Sequence, residues 1–223
     1  MIQRELLGEA AVPGGEPLRL YRRGQDFTIF AGRHELMNSR MSGSEEALAE
    51  QAIARLRGVA RPRLLVGGYG MGFTLRAALR ALPSEGEVTV AELVPEIVEW
   101  ARGPMAALTG EGLADPRTSV ALGDVIAQIA GQQARWDAIL LDVDNGPDGL
   151  TRASNGWLYT RAGLAAARAA LRPGGVLAIW SAAPDPAFAK RLVASGFAVD
   201  EVNLRARSNG KGPRHVIWFA GKR

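Results

Sequence analysis

The chain has 223 residues, 47% of them hydrophobic, a formal net charge of +4 and no cysteine. That length allows one well-buried core and is short for two, and the composition excludes global disorder. No apolar run approaches the roughly 20 residues of a membrane helix, and the missing thiols exclude a disulfide framework and a thiolate zinc site. Residues 1–17 carry acids where a signal peptide carries an apolar stretch, so a cytoplasmic globular protein with no membrane partner is expected.

Residues 18–23 and 27–31 are short β-prone runs around Gly24-Gln25-Asp26, and Gly32-Arg33 leads into 34–37. The pattern predicts a small antiparallel β appendage of two or three strands over residues 1–41, ahead of a main domain over 42–223. Ser42-Gly43-Ser44-Glu45 offers a capping box, and Leu48, Ala52, Ile53 and Leu56 mark the apolar face of a helix to about Arg57. From Arg63 strand-like runs at 63–67, 88–92, 119–122, 138–142 and 175–181 alternate with helical periodicities at 74–82, 95–108, 125–133 and 161–171. Alternation of this kind needs right-handed crossovers and predicts an α/β fold with a Rossmann-like, mostly parallel sheet. Residues 197–204 and 215–220 flank a turn at 208–213 and read as a closing hairpin, which adds an antiparallel edge strand. The stretch from Arg205 onward is basic and holds no acid. Without aromatic residues interleaved for base stacking it reads as a solvated surface, so nucleic acid is not the expected partner.

Leu64-Leu65-Val66-Gly67-Gly68-Tyr69-Gly70-Met71-Gly72 is a strand entering a glycine turn ahead of a helix. Ligands of doubly wound sheets bind in the crevice beyond such strand ends. The spacing at Gly68, Gly70 and Gly72 is G-x-G-x-G, with Phe73 where a dinucleotide fingerprint wants its third glycine, and no Lys-Ser/Thr follows to make a phosphate-cradling loop. Glu92 ends the next strand and is placed to accept both hydroxyls of a ribose; the same acid would suit the helix start ahead of Pro95. Gly123-Asp124 ends the third strand, where the carboxylate could accept from an adenine amino group or cap the following helix. Three such sites at consecutive strand ends point to an adenosine without a pyrophosphate, with Leu93 and Val125 as neighbours in the pocket.

These residues resemble the class I S-adenosylmethionine-dependent methyltransferase fold, and more closely the spermidine synthase family of polyamine aminopropyltransferases. Residues 65–76 resemble that family's L-V-I-G-G-G-D-G-G-T-L-R without a gap. Val90-Ala91-Glu92 resembles its ribose-binding strand, Gly123-Asp124 its adenine-contacting pair, and Trp136 to Asp142 its Y-D-V-I-x-x-D. His34-Glu35-Leu36-Met37 resembles its H-E-M, Leu158-Tyr159 its L-Y/F, and Leu171 to Gly175 its L-x-P-G-G. The resemblance covers roughly residues 18–180. It implies Asp142 as the catalytic carboxylate, with His34, Asp144, Asn145 and Tyr159 toward the amine substrate; Trp157 and Tyr159 line the pocket or, equally, pack in the core. The donor it implies is S-adenosylmethionine or its decarboxylated form, with no metal; a homodimer stays open. Three departures accompany it. The family's acid inside the glycine loop falls on Met71, the tyrosine before H-E-M on Arg33, and the second acid of D-S-S-D-P on Asn145.

A carboxylate cluster at Asp142, Asp144 and Asp148 suits alkyl transfer from a sulfonium, because it attracts a cationic amine and can take its proton. A turn built from Asx residues is the alternative for the same stretch. The glycine spacing excludes a calcium loop, and His34 and His215 lie too far apart in sequence to argue for a metal. The expected function is alkylation of a small-molecule amine, spermidine synthase-like. Methyl transfer on the same fold, which Met71 keeps open, is the alternative, and a nucleoside- or RNA-binding module the third.

Overall fold

The structure is a computed structural model that describes residues 3–143, 146–147, 153–207 and 209–223. It begins with a four-stranded antiparallel sheet in chain order, β1 (Glu5–Ala10), β2 (Leu18–Arg23), β3 (Asp26–Ala31) and β4 (His34–Asn38). Leu18, Leu20, Phe27 and Ile29 alternate inward at period 2 and are buried. β1 is one strand more than the sequence pattern predicts. Its polar ELLGEA run carries no strand signature, and a tertiary contact places it: a Cβ at Gly8 would stand 2.5 Å from the Trp100 indole nitrogen, so only glycine lets the strand lie there.

A helix, α1 (Gly43–Ala54), leads to β5 (Arg63–Gly67), α2 (Phe73–Ala81), β6 (Glu87–Glu92), α3 (Pro95–Arg102), α4 (Ala106–Thr109), β7 (Thr118–Leu122), α5 (Val125–Ile129) and β8 (Trp136–Leu141). A 3₁₀ turn at Ala153–Tyr159 precedes α6 (Arg161–Ala170), β9 (Leu171–Ser181), α7 (Pro186–Ala194), β10 (Phe197–Arg205) and β11 (Arg214–Lys222). The second sheet runs β10-β11-β9-β8-β5-β6-β7, with β5 to β9 parallel and β11 antiparallel to both of its neighbours.

The antiparallel strand is therefore interior, where the sequence pattern put it at the edge. Burial explains the difference: His215 to Ala220 are all buried, whereas β10 alternates and tolerates the rim. The helix expected over 95–108 breaks at Gly103 into α3 and α4, and α5 stops at Ile129. α7 was not expected, although its start signals are present. Pro186 sits in its first turn, and the Asp185 carboxylate accepts from the Phe188 N–H at 2.8 Å.

Both faces of the second sheet are covered. On one, Leu64, Val66 and Leu140 join Leu48 of α1 and Leu20 and Ile29 of the first sheet in a single cluster. On the other, Leu65, Ile139 and Leu177 pack with Leu164, Phe188 and Trp218. The first sheet thus shares the core of the second, and its inner face overhangs the strand ends where the chain order reverses between β5 and β8. Among the described residues no helix is long and apolar enough to cross a membrane.

Candidate active site

A cavity of about 180 Å³ opens at the carboxyl ends of β5, β6, β7 and β8, the crevice in which open α/β sheets hold ligands. Gly68, Gly70, Glu92, Leu93, Asp124, Val125 and Asp142 line it, so one space gathers these sequence-identified residues. The glycine loop makes that possible. Gly68 has φ +82°, and a Cβ on it would stand 2.9 Å from the backbone oxygen of Asp142, so the loop closes against the end of β8 only without a side chain. The Asp142 N–H in turn donates to the Gly67 carbonyl at 3.3 Å.

Glu92 is buried, and its two oxygens accept from the backbone N–H groups of Tyr69 and Val94, each at 2.8 Å. One carboxylate ties the glycine loop to the start of α3. The backbone N–H groups of Gly70 and Leu93 also act on the same carboxylate. Burial pushes the Glu92 pKa up against those backbone donors. Asp124 caps α5 by accepting from the Ile126 N–H at 2.9 Å, so the helix-capping alternative is realised while the residue also borders the cavity. Leu93, Val94, Ile97 and Val125 supply apolar walls for a flat ring, and with Glu92 they form a lining that fits an adenosyl group.

Glu45 is the residue that sequence reasoning missed. The expected capping box does not form, since Ser42 makes no side-chain cap bond and Glu45 turns inward instead. Glu45 lines the cavity and accepts from the Ser44 hydroxyl at 2.6 Å. Ser44 Oγ also lies 2.8 Å from Nδ1 of the buried His215 on β11. Thr74 of α2 joins this group to the catalytic candidate, with its hydroxyl 3.3 Å from an Asp142 oxygen and 3.4 Å from the Glu45 carbonyl. Burial, reinforced by the Asp142 charge, pushes Glu45 up to about 8, and burial pushes Asp142 up to about 6. Burial lowers the His215 pKa.

The folded, ligand-free protein therefore holds more protons on Glu45 than the unfolded chain does between its ordinary value of 4.5 and about 8. Stability falls as the pH rises through that window. The thermal midpoint of the ligand-free protein is expected to decline from pH 4.5 to about 8. Glu45→Gln should flatten that decline in a calorimetric pH series, and an identical slope in the variant would refute the assignment.

Other sequence-identified residues lie elsewhere. Gly72 is the N-cap of α2 and does not border the cavity. His34 is exposed on the outer edge of β4 and is not among the lining residues, whereas Leu36 and Met37 of the same strand are. Tyr159 is buried in the second core cluster, edge-on to Phe188 at 5.6 Å between ring centroids, because the turn carrying it packs apolar side chains inward. Trp157 packs against the same cluster. Met71 is fully buried in the first cluster and does not reach the cavity, so it says nothing about the donor. Asp144, Asn145 and Asp148 lie outside the described residues.

Residues 46–194 match the sequence model of the spermine/spermidine synthase domain. The chain is 36% identical over 124 residues to a polyamine aminopropyltransferase of Nitrosomonas europaea, covering 56% of this chain and 36% of that one. It is 31% identical over 128 residues to a polyamine aminopropyltransferase of Mycobacterium tuberculosis, covering 56% of this chain and 23% of that one. The match thus spans well under half the length of these relatives. A solved spermidine synthase from Thermotoga maritima superposes with a TM-score of 0.75 at 16% identity, over 98% of this chain and 72% of the other. A spermidine synthase in complex with the transition state analogue AdoDATO gives 0.74, with the same identity and coverage. The fold is therefore class I methyltransferase-like, as the resemblance implied.

Proposed function

Because the chain belongs to the spermine/spermidine synthase domain family, we propose that it transfers an aminopropyl group from decarboxylated S-adenosylmethionine to a small-molecule amine. The charge of the cavity carries this reading. Glu16, Glu45, Glu92, Asp124 and Asp142 line it, and among the described residues no Lys, Arg or His does. An anionic lining suits a donor and an acceptor that both carry ammonium groups. Intact S-adenosylmethionine would bring a carboxylate into a space where none of the described lining residues is cationic, which disfavours methyl transfer.

The donor supplies a sulfonium that activates the adjoining carbon, so the protein has only to position, exclude water and move one proton. Glu92, which borders the cavity at the end of β6, accepts from the ribose hydroxyls. Leu93, Val94, Ile97 and Val125 exclude water around the adenine, and Asp124 accepts from its amino group. Asp142, at the end of β8 and across from the glycine loop, takes the proton from the acceptor ammonium, so that the nitrogen lone pair forms the new C–N bond as the C–S bond breaks. A carboxyl held at about 6 is a better base for that step than an ordinary aspartate and is still ionised at neutral pH.

Incubating the protein with 1,4-diaminobutane and each donor in turn, then identifying the nucleoside released, tests the reading. Methylthioadenosine is expected with the decarboxylated donor and no turnover with the intact one. S-adenosylhomocysteine as the product would overturn it.

A further inference from the structure

We propose that Glu45 is a second acceptor-binding carboxylate of this site, clamping the amine's ammonium together with Asp142 while Ser44 and His215 fix its orientation. The proposal rests on the amine-alkylation reading above and names the residue that would confer its acceptor specificity. Glu45 occupies the first position of the stripe Glu45, Leu48, Ala49, Ala52, the i, i+3, i+4, i+7 face that α1 buries. A carboxylate there is costly unless something pairs it. The groups that face it are Ser44 and Glu46 from its own helix, Thr74 from α2, Asp142 from the end of β8 and His215 from β11. Two are acids, two are hydroxyls, and the imidazole is kept neutral by burial. Among the described residues no cation faces it, and the cavity that Glu45 borders is where one can enter.

The hydrogen bonds around Glu45 close in either protonation state. With the carboxyl ionised, Ser44 donates to it and His215 donates from Nδ1 to Ser44. With the carboxyl protonated, Glu45 donates to Ser44 and Ser44 donates to Nδ1, leaving the imidazole proton on Nε2. One buried chain of three groups therefore lets Glu45 gain or lose a proton by turning the Ser44 hydroxyl and switching the His215 tautomer, which suits a side chain that is neutral when empty and charged when it holds an ammonium. A second observation concerns the neighbouring wall. Trp180 borders the same cavity, packs edge-on to His215 at 4.7 Å, and keeps its indole N–H without a partner among the described residues. With Ile29, Leu36 and Met37 from the first sheet it forms an aromatic and aliphatic wall. Carboxylates at one end and apolar walls beyond describe a site for a primary amine on a linear alkyl chain.

On binding, the acceptor ammonium pairs with Glu45 and Asp142, and the proton held on the neutral Glu45 carboxyl leaves for solvent; Asp142 remains ionised and takes the proton that alkylation releases. Calorimetry with 1,4-diaminobutane near pH 7, in two buffers of different ionisation enthalpy, should show proton release in the wild type and none in Glu45→Gln. In steady-state assays Glu45→Gln should raise the acceptor KM by about 10- to 100-fold, the range for losing a charged hydrogen bond, with the donor KM unchanged. Glu45→Asp should recover part of that loss. Ser44→Ala keeps both carboxylates and should raise the acceptor KM a few-fold, so the claim remains testable if Glu45→Gln does not fold. An unchanged acceptor KM and unchanged proton release in folded Glu45→Gln would overturn the proposal. If the wild type releases a proton on binding the diamine but transfers nothing, the function reading fails and the Glu45 assignment stands.

Discussion

Asp142→Asn is expected to lower the single-turnover rate by about 10²- to 10⁴-fold, the usual cost of removing a general base. The substitution keeps the side chain's size and lets Thr74 go on donating to the retained oxygen. It removes the charge that adds to the effect of burial in raising Glu45, and it removes the acceptor of the ammonium proton. The thermal midpoint should hold or rise, because a buried charge next to another carboxyl has been deleted. Rapid-quench measurement at saturating donor separates the outcomes. A full single-turnover rate would remove Asp142 from the chemistry; a normal rate with lost donor affinity would make it a nucleoside ligand.

Glu92→Gln should weaken methylthioadenosine binding by about 1.5–3 kcal/mol, the worth of hydrogen bonds to a charged group. The effect has two sources in the geometry. The charge that receives the ribose hydroxyls is gone, and the amide must present an N–H to either Tyr69 or Val94, where a backbone N–H already points at the oxygen. The glycine loop then shifts away from the cavity. Titration calorimetry against the nucleoside checks the first source, and the thermal midpoint checks the second. A lower midpoint with unchanged affinity would reduce Glu92 to a loop fastener.

The parallel part of the fold was legible because each strand from β5 to β8 is a short apolar run closed by glycine or acid, and α3, α5 and α6 start on a proline or a capping side chain. Gly68, Glu92 and Asp124 could be placed in one crevice for the same reason, since strand ends in a doubly wound sheet face one way. What local pattern could not supply came from distant contacts. β1 is a strand because Gly8 meets Trp100, 92 positions away. β11 is interior because of a continuous apolar run that a hairpin reading had put at the rim. Glu45 carried a visible signal, an acid on the buried stripe of α1, but capping chemistry explained it equally well until His215, 171 residues from Ser44, closed the alternative. His34 and Tyr159 came from family likeness alone, and the faces their side chains occupy follow from packing that motif spacing does not encode.

The position of β11 between β9 and β10 also orders events during synthesis. β10 leaves the ribosome before its only neighbour exists, and until β11 arrives β9 presents an unpaired edge with Leu177 and Ile179 at it. A nascent chain in that interval carries the glycine loop, Glu92 and Asp142, yet has an open apolar strand and no His215. It is exposed to wrong pairing with another copy. Insertion of one late strand ends that exposure and, in the same step, delivers the imidazole that orients Glu45.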